Sequence, residues 1–278
     1  MSWWEAILLG AVEGFTEFLP ISSTGHLTIL ERLFGYSVDD PDIVAFTAII
    51  QVGAVAATLL FLRHDIVRLL RAWVHGLRNP TERGTSDYRF AWAVLLGSLP
   101  IVVVGLAFKD EIETTLRSLW FVGWALILWS GVMWFADSRA TQRRHESDVT
   151  WRDTLIIGIV QCLALVPGVS RSGATMSAGL LREIDRVAVT RLSFFLSIPA
   201  LTGAGILQTI TEFDNISTGV GWGPTIVATL VSFVVAFLAV TWLLRYIARH
   251  TYSVFIVYRV GLGVLVLALV ASGAVAPV

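Results

Sequence analysis

The chain has 278 residues, of which 55% are hydrophobic and only 15% charged, and its mean hydropathy is +0.74. A soluble domain carries about 25% charged residues, so this composition excludes a soluble globular protein and indicates an integral membrane protein. The net charge of −1 gives no reason to expect a nucleic-acid partner, and the single cysteine excludes a disulfide framework.

Six apolar stretches are long enough to cross a bilayer, which takes about 20 residues of helix. These predicted spans are residues 43–62, 90–108, 119–136, 190–210, 225–247 and 254–276. Two further apolar regions, 3–34 and 154–181, are too long for one span and are interrupted by proline, glycine and hydroxyl residues. These two regions therefore do not fit a single transmembrane helix.

The charge of the connecting segments indicates how the two regions are arranged. Four segments hold 15 lysines and arginines, whereas three others hold only three. The basic segments are 63–89, 137–153, 182–191 and 245–250. The segments with few lysines and arginines are 31–42, 109–118 and 211–224. Because basic residues concentrate on the cytoplasmic side, the first group is predicted to be cytoplasmic and the second outward. The spans alternate correctly only if the two interrupted regions return to their starting face, which predicts two re-entrant helical hairpins.

The predicted fold class is therefore an all-α polytopic membrane protein with an inverted-topology repeat. Residues 1–150 form the first repeat and residues 151–278 the second, each with one re-entrant hairpin and three transmembrane helices. Three is odd, so the halves have opposite orientation. Residues 20–25 resemble residues 167–173 with one inserted residue. Inverted repeats place their site at the repeat interface near the middle of the membrane, where the hairpin tips are predicted to meet.

The first hairpin carries two glutamates at helical spacing. Glu13 and Glu17 are four residues apart, so a helix places both carboxylates on one face. Like charges repel at this spacing, and a shared proton, a cation or an arginine must compensate. One interpretation is a structural ion-pair network. The functional interpretation is a divalent-metal ligand pair or an acid–base pair, because intramembrane carboxylates are rarely without a role.

Three hydroxyl residues follow the break at Pro20, namely Ser22, Ser23 and Thr24. Most hydroxyls at such a position cap the next helix, but one beside a base can act as a nucleophile. His26 lies three residues beyond Ser23 and is either a packed, hydrogen-bonded residue or a group that transfers a proton.

The second hairpin has the parts of an anion site. Its turn, residues 167–175, combines glycine, a helix N-terminus, hydroxyl donors and one guanidinium. Arg171 is the only charged residue between Asp153 and Arg182, and it either neutralises Glu13 or Glu17 or binds an anion. Carboxylates, hydroxyls, histidine and arginine facing each other suit phosphoryl transfer.

The segments E-G-F-T-E-F-L-P-I-S-S-T-G-H (13–26) and P-G-V-S-R-S-G-A-T (167–175) resemble the two signature motifs of the undecaprenyl-diphosphate phosphatase family, which is associated with bacitracin resistance. The resemblance covers essentially the whole chain. It implies hydrolysis of undecaprenyl diphosphate to the monophosphate carrier lipid of cell-wall peptidoglycan synthesis, with Mg²⁺ or Ca²⁺ as cofactor. The site is expected to open to the extracytoplasmic side of the plasma membrane, with both termini on that side. The expected partners are this polyprenyl lipid and membrane lipids, and a homodimer is left open.

The resemblance also implies roles for individual residues. Glu13 and Glu17 correspond to the essential carboxylates and cation ligands, and Ser23 to the leading nucleophile. His26 corresponds to a proton-transfer residue or an alternative nucleophile, and direct attack by activated water stays open. Arg171 corresponds to the phosphate clamp. The expected supporting residues around the phosphate are Ser22, Thr24, Ser170, Ser172, Gly173 and Thr175.

Three other functions compete with this interpretation. Inverted repeats with broken helices are typical of secondary transporters, and a lipid flippase is one version of that alternative. Thr24-Gly25-His26 resembles the Ser-Gly-His element of acid-phosphatase-like lipid phosphatases, but that family needs a second histidine after its arginine, and none follows Arg171 before His250. A structural membrane scaffold would not need charges at both hairpin tips.

Overall fold

The structure is a computed structural model that describes residues 1–37, 40–108, 116 and 118–277. In these ranges every regular element longer than five residues is an α-helix. In chain order the helices are α1 Trp3–Thr16, α2 Ser23–Leu33, α3 Pro41–Phe61, α4 Arg63–Arg78, α5 Ser86–Ala107, α6 Leu119–Arg139, α7 Trp151–Gln161, α8 Arg171–Leu181, α9 Arg186–Thr211, α10 Phe213–Thr218, α11 Trp222–Ile247 and α12 Ser253–Ala271.

Six helices are long and apolar enough to cross a membrane, namely α3, α5, α6, α9, α11 and α12. They coincide with the six predicted spans, so the prediction of an all-α polytopic membrane protein is confirmed. The ends differ where local geometry overrides hydropathy. Helix α5 begins at Ser86 rather than near residue 90 because the Thr85 hydroxyl accepts the amide of Tyr88. Helix α12 ends at Ala271 rather than near residue 276, and Gly273 beyond it turns with a φ of +73°.

The two interrupted regions form helical hairpins, α1–α2 and α7–α8. Each returns to the end where it starts. The ring of Trp4 at the start of α1 packs edge-on against Phe34 just after α2, with centroids 5.2 Å apart. Arg182 after α8 donates through Nε to Asp153 in the first turn of α7 at 2.9 Å. Helix α1 has 14 residues, a length of about 21 Å against a hydrocarbon core of about 30 Å, so the hairpin turns inside the molecule.

The basic segments lie together at one end of the molecule. Arg191 donates to Asp65 at 3.0 Å, and Arg186 donates to Asp137 at 2.7 Å. These ion pairs join three of the four basic segments, and the amide of Tyr252 brings the fourth close by donating to Asp137 at 3.2 Å. The second hairpin starts at this end.

The opposite end holds both termini. Ile216, in the predicted outward segment 211–224, packs in one apolar cluster with Ala6 of α1 and with Phe34. The backbone amide of Leu119, at the start of α6, donates to the carbonyl of Pro277 at 2.8 Å. Apart from residues 116 and 118, the predicted outward segment 109–118 lies outside the described residues. The two hairpins therefore enter the molecule from opposite ends.

Small residues allow each hairpin to pack closely on a spanning helix. Helix α1 packs against α11, and α7 packs against α5. A side chain at Gly10 of α1 would overlap the backbone of Ala228, and one at Gly158 of α7 would overlap the backbone of Gly97. Close backbone approach at small residues is the usual way in which membrane helices associate without a hydrophobic driving force. These contacts hold the two hairpin tips in the interior.

Candidate active site

The first hairpin turns sharply between Thr16 and Ser23. Ser22 has a φ of +74°, in a region that L-residues rarely adopt, and it caps α2 by accepting the amide of Gly25 at 3.3 Å. The same hydroxyl accepts the amide of Gly168 in the other hairpin at 3.1 Å. The Ser22 side chain therefore joins its own helix to the opposite tip.

The second hairpin repeats this local geometry. Ser170 has a φ of +75° and caps α8 by accepting the amide of Gly173 at 3.2 Å. The hydroxyl of Ser172 donates to the carbonyl of Leu19 in the first hairpin at 2.8 Å. Gly168 has a φ of +100°, and a side chain there would overlap the carbonyl oxygen of Val122, so the tip requires glycine. The prediction that the two hairpin tips meet is confirmed.

Glu17 lies at the centre of this contact. Its Oε1 accepts a charge-assisted hydrogen bond from Nη2 of Arg171 at 2.8 Å, and its Oε2 accepts the hydroxyl of Ser23 at 2.5 Å. Glu17 is 6% exposed and the Arg171 side chain is 11% exposed. The arginine that the glutamate pair requires is therefore supplied by the second hairpin. The arrangement brings a serine hydroxyl onto a carboxylate able to take its proton.

Two atoms beside this pair have no hydrogen-bond partner. Glu13 is 1% exposed, and its buried Oε1 is unsatisfied. Nη1 of Arg171 is also buried and unsatisfied, although the guanidinium lies 5.6 Å from the ring centroid of Phe18. A buried polar atom without a partner costs about 1–3 kcal/mol, and more when it is charged. The unpaired donor of Arg171 suits an anionic ligand, and the unpaired acceptor of Glu13 suits a cation. The two atoms therefore fit a site that is completed by both.

His26 is close to the tip but is bonded elsewhere. Its Nδ1 lies 2.7 Å from the carbonyl oxygen of Ser22, and its Nε2 lies 2.7 Å from the hydroxyl of Tyr258 on α12. Both ring nitrogens are thus occupied, and neither bonds Glu17 or Ser23. The proton-transfer role of His26 stays a prediction.

The other predicted phosphate-binding residues are distributed differently. Thr24 is exposed, so its hydroxyl is accessible. The hydroxyl of Thr175 is directed between α8 and α9, where it donates to Ser193 at 2.7 Å. The hydroxyls of Ser170 and Ser172 lie 3.0 Å apart and hydrogen-bond to each other within the tip of the second hairpin. Their direct contact with phosphate stays a prediction.

Arg259 is a site residue to which the sequence assigned no role. It is completely buried on α12, and its Nη2 donates to the carbonyl of Gly168 at 2.8 Å while its Nη1 donates to the carbonyl of Pro20 at 3.2 Å. Its Nε donates to Ser130 at 3.1 Å. One guanidinium therefore ties both hairpin tips together. The signal in the sequence was its isolation as the only charged residue in the last span.

Glu13 and Glu17 can supply only part of the ligand shell of a divalent cation. Glu13 offers an oxygen without a partner, whereas both oxygens of Glu17 are engaged. The described residues contain no group of three or more histidine, cysteine, aspartate or glutamate side chains able to hold a metal. Mg²⁺ commonly takes one or two protein carboxylates and completes its shell with water and substrate phosphates. Glu13 is therefore the first candidate ligand and Glu17 the second.

The fold and the site together define a polytopic α-helical membrane protein with a buried Ser–Glu–Arg cluster between two helical hairpins. The family model described as bacitracin resistance protein BacA matches residues 6–265. An undecaprenyl-diphosphatase 3 of Frankia casuarinae is 71% identical over 98% of this chain and 98% of its own length. An undecaprenyl-diphosphatase 1 of Streptomyces avermitilis is 54% identical over 97% and 96%, and an undecaprenyl-diphosphatase of Cutibacterium acnes is 50% identical over 99% of each chain. This chain belongs to the bacitracin resistance protein BacA family.

Proposed function

We propose that this protein is an undecaprenyl-diphosphate phosphatase, which hydrolyses undecaprenyl diphosphate to undecaprenyl phosphate and inorganic phosphate. The family and the names of its relatives support this reaction. The observation that carries it in the structure is the 2.5 Å hydrogen bond from Ser23 to Glu17, whose other oxygen accepts Arg171. Nothing observed favours a transporter or flippase.

The geometry supports Ser23 as the nucleophile and Glu17 as its base. The Ser23 oxygen bonds the terminal phosphorus while the bond from that phosphorus to the bridging oxygen breaks, and undecaprenyl phosphate leaves. Glu17 takes the hydroxyl proton and passes it to solvent. Glu17 then takes a proton from the water that attacks the phosphoserine and returns it to the serine oxygen, which frees inorganic phosphate.

Arg171 and Glu13 provide for the negative charge of the phosphate, Arg171 directly and Glu13 through a bound cation. Nη1 of Arg171 is free to donate to a phosphate oxygen while Nη2 stays on Glu17. Glu13, with Glu17 as the second ligand, would hold Mg²⁺ or Ca²⁺ when the cation is bound, and the cation would neutralise phosphate charge. Glu13 and Glu17 are almost completely buried, so a phosphate bound to them would be shielded from bulk water.

The proposal includes the placement of the protein in the plasma membrane. The end with few basic residues, where both termini lie, is outward, and the prenyl tail of the substrate lies in the bilayer. The two halves, residues 1–150 and 151–278, are inverted repeats. The matching geometry of Ser22 and Ser170 and the corresponding glycine contacts of α1 and α7 support this relationship.

The test is phosphate release from undecaprenyl diphosphate by protein purified in detergent, with Mg²⁺, with Ca²⁺ and after chelation. Multiple turnovers in detergent, where no second compartment exists, are expected to require the cation. Glu13→Gln is expected to weaken the cation dependence, whereas Glu5→Gln at the other end of α1 is the matched control. Absence of release from folded protein under every cation condition would contradict the proposal and favour a flux assay in sealed vesicles.

A further inference from the structure

Helix α12 contributes an aromatic residue, Tyr258, that contacts His26. The hydroxyl of Tyr258 lies 2.7 Å from Nε2 of His26, and the two rings are almost parallel, at 7°, with centroids 5.6 Å apart. The next residue, Arg259, is anchored to both hairpin tips. The backbone that carries Tyr258 is therefore fixed relative to the start of α2.

The hydrogen bonds define one tautomer of His26. The carbonyl of Ser22 is only an acceptor, so Nδ1 of His26 must carry the hydrogen of the 2.7 Å bond between them. In the neutral ring this leaves Nε2 with a lone pair, and the Tyr258 hydroxyl donates to it. The neutral imidazole is thereby held at both nitrogens and in one tautomer.

This arrangement acts on the turn that presents the nucleophile. The carbonyl of Ser22 accepts two hydrogen bonds from His26, one from Nδ1 and one from the backbone amide at 3.2 Å. Ser22 has the left-handed φ of +74°, and Ser23 follows it directly. A fixed His26 ring therefore fixes the Ser22 carbonyl, and with it the direction from which Ser23 reaches Glu17.

We propose that Tyr258 is a positioning residue, which holds His26 as an Nδ1-protonated ring and through it keeps the Ser22 turn in the conformation that directs Ser23 onto Glu17. This inference rests on the proposed function, because it assigns His26 a role in placing the nucleophile rather than in transferring its proton. Tyr258 acts through His26 and does not touch the reacting atoms.

The kinetic test is Tyr258→Phe, which removes the hydroxyl and keeps the ring. We expect kcat to fall about tenfold with little change in KM, because a misdirected nucleophile affects the chemical step more than substrate binding. Tyr246→Phe is the matched control, since Tyr246 stacks on His250 at 4.3 Å in a pair at the basic end of the molecule. That control is expected to keep the activity of the original protein.

Coupling distinguishes this role from general support of the fold. In a His26→Ala background, Tyr258→Phe is expected to change kcat by less than about twofold, because the hydroxyl has lost its acceptor. If Tyr258→Phe leaves kcat unchanged in the original protein, or lowers it equally with and without His26, the inference is wrong.

A spectroscopic test does not depend on turnover. With ¹⁵N-labelled histidine rings, the signals missing from His26→Ala identify His26, and we expect a protonated Nδ1 and an unprotonated, hydrogen-bonded Nε2. Tyr258→Phe should shift the Nε2 signal, and Tyr246→Phe should not. If the protein releases no phosphate at all, the proposed function fails separately. An Nε2 signal that is identical with and without the Tyr258 hydroxyl would overturn the positioning role whatever the activity.

Discussion

Among the described residues, Asp153 and Glu17 are buried carboxylates that accept hydrogen bonds from arginine, and they differ in how completely they and their neighbours are bonded. At the basic end, Asp153 accepts Arg144 at 3.0 Å and 2.5 Å, Arg182 at 2.9 Å, and both the amide and the hydroxyl of Thr150. At the hairpin tips, Glu17 is bonded by Arg171 and Ser23, but the neighbouring Oε1 of Glu13 and Nη1 of Arg171 have no partner.

This difference distinguishes the Asp153 network, which is structural, from the Glu17 network, which we propose to be functional. A satisfied network leaves nothing for a ligand to bind, and it ties α7 and α8 to the segment before them. An unsatisfied network costs stability, and its open atoms mark where a ligand completes it. The same residue types therefore have different roles, and the number of partners distinguishes them.

Glu17→Gln is expected to have the largest effect, a loss of turnover of about 10³-fold, because an amide cannot take the proton of Ser23. Phosphate release measures this loss, and an unchanged melting temperature shows that the protein still folds. If Glu17→Gln turns over substrate at a rate close to that of Glu5→Gln, Glu17 takes no part in the mechanism. The assignment of the Glu17 network as functional would then be wrong.

Arg171→Lys should lower kcat/KM by about 10²-fold, since an ammonium cannot bond Glu17 and a phosphate oxygen with the planar geometry of a guanidinium. Initial rates at varied substrate concentration check this value. Arg152→Lys, at the exposed start of the second hairpin, is the control and should leave kcat/KM unchanged. Equal activity of the two variants would show that charge alone is needed at position 171.

Arg259→Lys is expected to lower kcat about tenfold, because a lysine cannot reach the carbonyls of Pro20 and Gly168 and Ser130 together, so the tips lose their common anchor. Turnover and melting temperature are measured on the same sample, next to the exposed Arg245→Lys. A loss of stability without any loss of kcat in the folded fraction would limit Arg259 to folding.

Asp153→Asn tests whether the Asp153 network has a purely structural role. Removing one partner of a buried ion-pair network should lower stability by about 3 kcal/mol, because Arg144 and Arg182 keep some solvent contact, while kcat of the folded protein stays within about twofold. Thermal unfolding in detergent and phosphate release report the two effects, with the exposed Asp148→Asn as control. A large fall in kcat at full stability would contradict the purely structural role of the Asp153 network.

The pH dependence of stability gives the smallest expected effect. Burial alone would raise the pKa of Asp153, but hydrogen bonds from Arg144, Thr150 and Arg182 hold it well below its usual value. A lowered pKa in the folded state stabilises the protein above the ordinary aspartate pKa of about 3.9, and this contribution is lost as the pH falls below that value. The melting temperature should therefore fall more steeply below about pH 4 in the original protein than in Asp153→Asn. Parallel curves would show that Asp153 does not contribute.

Much of the fold could be predicted from local features of the sequence. The six spans follow from runs of apolar residues, and the two hairpins follow from breaks such as Pro20 and Pro167 combined with the distribution of basic residues. The candidate residues Glu13, Glu17 and Arg171 also followed from the sequence, because charged side chains inside an apolar region are costly and rarely lack a role. Ser23 was singled out from its neighbouring hydroxyl residues only by the resemblance to the family.

The tertiary structure decided which of these groups bond to one another. It directs Arg171 to Glu17 and leaves Glu13 with an open oxygen, and it turns His26 away from Ser23 towards Tyr258. Tyr258 follows His26 by 232 positions in the chain. No local pattern records that contact, because it exists only where helix packing brings α12 beside the tip of the first hairpin. Hydropathy and chain breaks determine where a helix can run, whereas the direction of each side chain is set by the packing of the helices around it.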